Sequence, residues 1–152
     1  MADQTDLEAR IRAIEDIEAI KQVKARYWRC VDKKLWTELE EVFAEDATAD
    51  YGPDLKFQGR KAIIDFLIAS LGGEAQVSFH GGHNPEIRLT SVTTATATWP
   101  IQAFVLVDPN TRVEDWGHYE DEYVKVDGQW KKKSVKIVPI LQEWSMKKRP
   151  RP

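Results

Sequence analysis

Hydrophobic positions in the first third of the chain recur at helical spacing. Neither glycine nor proline occurs in residues 1–51, and Glu, Lys, Arg and Ala fill most positions between the apolar ones. The apolar positions return mostly every three or four residues, at Leu7, Ile11, Ile14, Ile17, Val23, Tyr27 and Val31. The period is lost at Asp32-Lys33-Lys34. We therefore predict a break there, between a long helix and a short one. The apolar residues of the short helix are Leu35, Leu39, Val42 and Phe43.

A third helix is predicted at Arg60–Leu71, after a turn at Gly52-Pro53. Its inward positions are Ile63, Phe66, Leu67 and Leu71. We expect Gly72-Gly73 to end it as a C-cap pair.

The second half of the chain changes to a period of two. β-Branched and aromatic residues alternate with polar ones in the segments VSFHGGHNPEIRL, TTATATWPIQAFVLV, RVEDWGHYEDEYVKV and QWKKKSVKIVPILQEW. Asp108-Pro109-Asn110 and Asp127-Gly128 are typical of hairpin turns. Helices followed by a run of antiparallel strands predict the α+β class, with helices packed on one face of a curved sheet. We expect a single domain over residues 1–152, with its core at about 14–144, and a basic tail, KKRPRP, that frays or straps a neighbouring subunit.

Composition narrows the function classes. The 152 residues hold 22 Lys+Arg and 25 Asp+Glu, a net charge of −3, which argues against nucleic acid as the main partner. No apolar run approaches the roughly 20 residues of a membrane-spanning helix, and the acidic N-terminus lacks signal-peptide features, so we expect a cytoplasmic protein without a membrane partner. The single cysteine, Cys30, excludes an internal disulfide and a cysteine-based metal cluster. Six tryptophans indicate a thick core or an aromatic-lined cavity.

His80 and His83 form an H-x-x-H pair on a predicted strand. A regular strand places the two imidazoles on opposite faces, and Gly81-Gly82 between them could form a bulge. A metal site needs further ligands and convergent geometry, so we predict no metal and favour acid–base work by histidine. His83 is interpreted as a hydrogen-bonded histidine at the bulge.

Tyr27 and Asp32 lie five helical steps apart, about 140° around the axis, and converge only if the helix breaks near Val31. The alternative is that Tyr27 belongs to the core with its hydroxyl at the rim, while Asp32 is a solvated carboxylate or the cap of the next helix.

The strand Trp116–Tyr123 has two distinct faces. One face carries Gly117, Tyr119, Asp121 and Tyr123 and is predicted to be a cavity wall. The other carries Trp116, His118, Glu120 and Glu122 and is predicted to face water or another subunit. Asp121 could alternatively accept a hydrogen bond from a neighbouring tyrosine.

The stretch IEDIEAIKQVKARYWRCVDKKLWTELEEVFAEDATADYG resembles the opening of SnoaL-like proteins in the NTF2-like superfamily. The segment FHGGH at 79–83 and the later YEDEYVKVDGQWK resemble their sheet half. The chain is most similar to the bile-acid 7-alpha-dehydratases and more distantly to scytalone dehydratase. This resemblance implies a conical α+β barrel and cofactor-free hydro-lyase chemistry. The superfamily also includes isomerases, cyclases, epoxide hydrolases and non-enzymatic binding domains.

The resemblance also implies roles for individual residues. Tyr27, Asp32 and His80 match catalytic positions of the dehydratases, and Tyr51 matches a pocket tyrosine of scytalone dehydratase. Asp121 lies at about the place of a strand aspartate that SnoaL-type cyclases use. The remaining substrate-binding residues that we predict are Trp36, Phe66 and Tyr119.

One departure concerns the last strand. Where the bile-acid dehydratases carry an arginine, this chain reads VKIVPIL, with Pro139 at about that place and Lys136 as an imperfect substitute. Specificity for a bile-acid thioester is therefore not implied.

Together these features predict a dehydratase that uses no cofactor and acts on a small hydrophobic cyclic or steroid-like carbonyl compound. We expect a homo-oligomer, a dimer or a trimer. Two alternatives remain: a non-catalytic NTF2-like module that binds a ligand or pairs with another subunit, and an isomerase or polyketide cyclase that uses Asp121.

Overall fold

The computed structural model describes residues 4–146, so the basic tail at 147–152 lies outside the described residues. The elements along the chain are α1 (Gln4–Asp32), α2 (Trp36–Glu40), β1 (Phe43–Asp50), β2 (Lys56–Gln58), α3 (Arg60–Leu71), β3 (Val77–Gly82), β4 (Glu86–Leu89), β5 (Thr94–Asp108), β6 (Thr111–Val126) and β7 (Gln129–Met146). The predicted α+β class is confirmed. The bounds predicted for α3 are also those observed.

Seven strands form one curved, mixed sheet in the order β2-β1-β7-β6-β5-β3, with β4 pairing beside β3 on β5. Among the strand pairs of residues 4–146, only β1–β7 is parallel. Over the described residues the sheet does not close on itself, so the barrel that the resemblance implied is open between β2 and the β3/β4 side. The helices α1 and α3 cover its inner face, and the core lies between.

The break predicted at Asp32-Lys33-Lys34 is confirmed, but one boundary of the short helix is wrong. The first helix ends at Asp32, where Lys34 adopts a left-handed backbone (φ 57°) and the Leu35 N–H donates to the Cys30 carbonyl (2.8 Å). The second helix ends at Glu40, and Phe43 begins β1 instead of belonging to that helix. Phe43, Ala47 and Ala49 are buried at strand spacing, and sheet pairing there overrides the helical spacing.

Tight turns set the register of the long strands. Asp127 and Gly128 both have a positive φ (50° and 80°), which matches the twist of the β6–β7 hairpin. At the β5–β6 turn, Asp108 Oδ1 accepts the N–H groups of Asn110 (2.7 Å) and Thr111 (3.0 Å). Both predicted hairpins are confirmed.

The segment 77–89 forms two strands, not one. β3 and β4 both pair with β5 but at different places along it, and residues 83–85 lie between them. The β3–β5 register runs without a shift from Val77 to Gly82, so the bulge expected at Gly81-Gly82 does not form. His83 follows the strand and is exposed, and its backbone N–H donates to the Pro100 carbonyl (3.0 Å).

The tryptophans serve mainly the core. Trp28, Trp99 and Trp130 are buried, and the first two rings meet edge to face with centroids 5.8 Å apart. Within residues 4–146, no helix is long and apolar enough to cross a membrane.

Candidate active site

The last residue of α1 meets the middle of β3. Asp32 Oδ1 lies 2.6 Å from His80 Nδ1, and Asp32 Oδ2 accepts the backbone N–H of His80 (3.0 Å). The hydroxyl of Ser78 also donates to Asp32 Oδ1 (2.9 Å). Both side chains of the ion pair are largely buried. The carboxylate thus accepts three hydrogen bonds from a single strand.

This arrangement decides the state of the imidazole. A carboxylate can only accept hydrogen bonds, so Nδ1 carries a hydrogen and Nε2 is the nitrogen available to a ligand. The same carboxylate would stabilise a positive charge on the ring. His80 is therefore oriented to take up and release a proton at Nε2.

Close packing of α1 on β3 brings the pair together. Gly82 lies two residues after His80, and a Cβ at that position would lie 1.9 Å from ring atoms of Trp28. The indole of Trp28 therefore occupies the space that any other residue at 82 would need. This contact holds the strand against the helix four residues before Asp32.

An apolar cavity of about 840 Å³ lies between the helices and the sheet. Its volume falls in the range of small-molecule sites. Most of its wall is aliphatic or aromatic, from Val31, Leu55, Phe66, Leu67, Leu71, Ile101, Val105 and Ile137. His80 lines this cavity. Asp32 does not line it, but binds the Nδ1 side of the His80 imidazole.

Three phenols line the same cavity, those of Tyr27, Tyr51 and Tyr119. The hydroxyls of Tyr27 and Tyr51 are 3.2 Å apart. Burial is the main cause that raises the pKa of each phenol, and the neighbouring tyrosines add to it for Tyr27 and Tyr119. The phenols therefore stay protonated and can donate hydrogen bonds to a ligand oxygen.

The structure brings five of the predicted site residues to one cavity: Tyr27, Tyr51, Phe66, His80 and Tyr119. Phe66 stacks on Tyr51, with ring centroids 5.5 Å apart. Trp36 does not line the cavity and instead packs against the core at the start of α2. Tyr27 and Asp32 are not brought together by a break near Val31, as the sequence had suggested. The helix is continuous between them, and His80 reaches from Asp32 to the cavity.

Asp121 also lies outside this cavity. Its carboxylate is fully buried, and Oδ2 accepts Lys24 Nζ (2.7 Å), Lys132 Nζ (2.6 Å) and the hydroxyl of Tyr123 (2.9 Å). The Tyr123 contact agrees with the alternative in which a neighbouring tyrosine donates to Asp121. The predicted role of Asp121 in contacting substrate has no support in this geometry, because the side chain is fully buried and its Oδ2 is bound to two ammonium groups.

Sequence reasoning missed the two lysines that hold Asp121. Lys24 falls on the apolar stripe of α1, one turn before Tyr27, which could have indicated its burial. Its Nζ lies 3.8 Å from the ring centroid of Tyr119. Burial lowers the pKa of Lys24, and for Lys132 burial is likewise the largest cause of a lowered pKa. For Asp121, burial opposes ionisation, but the two ammonium groups outweigh it and keep the pKa low.

The last strand, β7, contains Pro139 and Lys136 in the region where the bile-acid dehydratases carry an arginine. Pro139 does line the cavity at about the expected place. Lys136 does not substitute, because its Nζ is bound to Glu120 (2.9 Å) on the outer face of the sheet.

Sequence reasoning also missed Asp115, which lines the cavity from β6. It shares the inward parity of Tyr119 and Asp121, so alternation along β6, followed one residue before Trp116, indicates its face.

A second, shallower groove of about 1090 Å³ follows the outer face of the sheet. Its lining mixes polar, charged and apolar residues and includes Asp121, whereas His80 and the three cavity tyrosines are not part of it. This face has Glu120 and Glu122 as predicted. Among residues 4–146, no three His, Cys, Asp or Glu side chains gather in a way that could hold a metal ion.

Comparison with known proteins places these features in a family context. A family model described as the SnoaL-like domain matches residues 12–136. A scytalone dehydratase candidate from Novosphingobium aromaticivorans is similar, with 26% identity, a TM-score of 0.79, and coverage of 91% of this chain and 92% of that chain.

Two further solved structures share the fold at lower identity. A hexachlorocyclohexane dehydrochlorinase of Novosphingobium barchaimii has 17% identity and a TM-score of 0.81, covering 93% of this chain and 98% of that chain. An NTF2-like protein of Novosphingobium aromaticivorans has 21% identity and a TM-score of 0.72, with 92% of each chain covered.

Proposed function

The chain belongs to the SnoaL-like domain family, and from that premise we propose that it is a cofactor-independent dehydratase acting on a hydroxylated cyclic or steroid-like carbonyl compound. The observation that carries the proposal is the 2.6 Å contact of Asp32 with His80 in the wall of an apolar cavity. A histidine with its tautomer set by a carboxylate is suited to moving a proton between two positions of one bound ligand. The names of two similar proteins, a scytalone dehydratase candidate and a dehydrochlorinase, describe eliminations and agree with this chemistry.

In the proposed reaction, Nε2 of His80 removes the proton alpha (or vinylogous) to the substrate carbonyl. The electrons of the broken C–H bond form an enolate, and Asp32 stabilises the imidazolium that results. The hydroxyls of Tyr27 and Tyr51 donate to the carbonyl oxygen, where negative charge develops. The C–O bond then breaks, a C=C bond forms, and the proton on Nε2 leaves with the hydroxyl as water.

The experiment uses a panel of hydroxylated ketosteroids and phenolic polyketides. A new conjugated chromophore and exchange of the substrate alpha-hydrogen with deuterated solvent are followed in parallel. Dehydration predicts both signals, abolished in His80→Gln and retained in His83→Gln, since His83 is exposed beyond the end of β3.

Other outcomes separate the alternative functions. Exchange without loss of water would indicate an isomerase. Tight binding with neither signal across the panel would overturn the proposal in favour of a non-catalytic module. A cyclase that uses Asp121 is not proposed, because its carboxylate lies between Lys24 and Lys132.

The proposal includes assembly as a homo-oligomer. The last residues of β7 leave large apolar side chains exposed, with Ile140 72%, Trp144 63% and Met146 78% accessible. Contact with a second copy would remove such a patch from water. Sedimentation equilibrium at micromolar concentration is expected to show a dimer or a trimer, and a monomer alone would contradict this part of the proposal.

A further inference from the structure

Four residues lie in one row across four neighbouring strands. His80 on β3 is opposite Ala103 on β5, Ala103 is opposite Asp115 on β6, and Asp115 is opposite Gln142 on β7. Directly opposed residues share one face of a sheet, and all four line the apolar cavity. Because two strand spacings separate them, the Cα atoms of His80 and Asp115 are about 10 Å apart. The small side chain of Ala103 leaves the space between them open, about the width of a fused ring system.

Asp115 is held in place from one side only. Gln142 Nε2 donates to Asp115 Oδ1 (2.7 Å), and Trp144 Nε1 donates to Gln142 Oε1 (3.0 Å). These two bonds fix the amide with its NH₂ group toward the carboxylate. Within residues 4–146, Asp115 Oδ2 has no hydrogen-bond or ion-pair partner. A carboxylate oxygen can accept two hydrogen bonds, so Oδ2 is an open acceptor in the cavity wall.

Among residues 4–146, no cation pairs with Asp115. Asp50 and Lys56 also line the cavity, but they pair with each other (3.3 Å). His80 is paired with Asp32, and Pro139 stands where an arginine was expected from the resemblance. The end of the cavity near Asp115 therefore repels anions and attracts hydrogen-bond donors.

We propose that Asp115, held by Gln142, is a specificity-determining residue that accepts a hydrogen bond from a substrate hydroxyl remote from the reacting carbon. This inference rests on the proposed function and names the substrate class more closely. The substrate is an uncharged cyclic carbonyl compound with a phenol or alcohol about one ring system away from the C–H bond that faces His80. Carboxylate-bearing and phosphate-bearing compounds are disfavoured, because their charge would meet Asp115, which pairs with no cation of residues 4–146.

The test measures binding of ketones that have no leaving hydroxyl, so that no reaction is needed. The probes are 6-hydroxy-1-tetralone, 6-methoxy-1-tetralone and 6-carboxy-1-tetralone, each titrated by calorimetry. The ketone oxygen can accept from Tyr27 and Tyr51, while the 6-substituent reaches toward Asp115. A hydrogen bond to a charged group predicts that the hydroxy compound binds about tenfold more tightly than the methoxy compound, with the carboxylate the weakest.

Asp115→Asn should reduce the hydroxy-to-methoxy ratio to a few-fold and strengthen binding of the carboxylate by about tenfold. The preference for the hydroxy compound should fall while binding of the carboxylate compound strengthens. A general loss of folding would instead weaken binding of every compound. Glu114→Gln is the matched control, because Glu114 lies next in sequence on the other face of β6 and pairs with Arg112. It should leave the ratio unchanged.

The ratio in the unaltered protein needs no variant and tests the subsite even if Asp115→Asn fails to fold. Equal binding of the hydroxy and methoxy ketones, or an unchanged ratio in Asp115→Asn, would overturn the subsite. Failure of the dehydration assay with the ratio intact would instead overturn the proposed reaction alone.

Discussion

Asp32 holds His80 at two separate atoms, the ring nitrogen Nδ1 through Oδ1 and the backbone N–H through Oδ2. The first contact sets the tautomer of the imidazole, and the second sets the position of the strand that carries it. One carboxylate at the end of α1 therefore controls both the chemistry and the placement of the candidate base.

This relationship predicts that Asp32 and His80 act as a unit. His80→Gln and Asp32→Asn should each reduce turnover by about 10²–10⁴-fold, since either change removes the oriented base. The double variant should be little worse than either single variant, because both affect the same proton transfer. Initial rates on the best compound of the panel are the measurement.

Ser78→Ala is the control for this cycle. It removes one hydrogen bond to Asp32 but leaves the contact with Nδ1, so its loss of turnover should stay below about tenfold. Losses that multiply in the double variant would show that the two residues act in different steps.

Replacement of the adjacent glycines Gly81 and Gly82 by alanine should affect stability very differently. Gly82→Ala places a Cβ 1.9 Å from Trp28, so the indole or β3 must move, and the free energy of unfolding should fall by about 1–3 kcal/mol. Turnover should fall as well, because the shift carries His80 away from the cavity tyrosines. Urea denaturation and initial rates report the two effects.

Gly81→Ala is the matched control for this position. Its Cβ would lie 3.3 Å from the ring of the exposed Phe79, which can rotate aside. A cost similar to that of Gly82→Ala would contradict the assigned role of Trp28.

The buried cluster around Asp121 should matter for stability and not for turnover. Asp121→Asn leaves the ammonium groups of Lys24 and Lys132 buried without a counter-charge, which should cost about 3–5 kcal/mol of unfolding free energy. Lys24→Met should cost less, since Lys132 and Asp121 remain as a neutral pair. Urea denaturation checks this order. A loss of turnover per folded molecule in Asp121→Asn, with stability unchanged, would restore a catalytic role for Asp121.

The lowered pKa of Lys24 should make the free energy of unfolding depend on pH. Burial, together with the charge of Lys132, places the pKa of Lys24 well below its ordinary value, against the opposing pull of Asp121. Between that lowered pKa and about 10.4, the unfolded chain binds more protons than the folded one. The contribution of Lys24 to the free energy of unfolding therefore increases as pH rises through this window.

The comparison with Lys24→Met isolates that contribution, because both proteins contain the same tyrosines. The difference in unfolding free energy, unaltered protein minus variant, should increase from neutral pH toward pH 10. A flat difference would mean that Lys24 titrates alike in the folded and unfolded chains.

Local pattern determined much of this fold. The helical period of α1, the bounds of α3 and the two hairpin turns follow from interactions over a few residues, and the structure agrees with them. The stripe of α1 is buried only from Ile20 onward, and Leu7, Ile11 and Ile14 are exposed. The period of two also placed Tyr119 on the inner face of β6. These features depend on the geometry of a single helix or strand, which is set by neighbours in the sequence.

Which carboxylate meets the cavity was decided only by the tertiary structure. Asp115 and Asp121 share one face of β6, so alternation alone cannot distinguish them. Pairing with β5 aligns Asp115 with the row of His80. Asp121 lies six residues further along β6, opposite Ala97, where the buried lysines bind it. Alternation assigns a face but not a position along it, because the rows of a sheet depend on registers between strands distant in sequence. The same holds for the Asp32–His80 contact, which joins a helix end and a strand 48 residues apart.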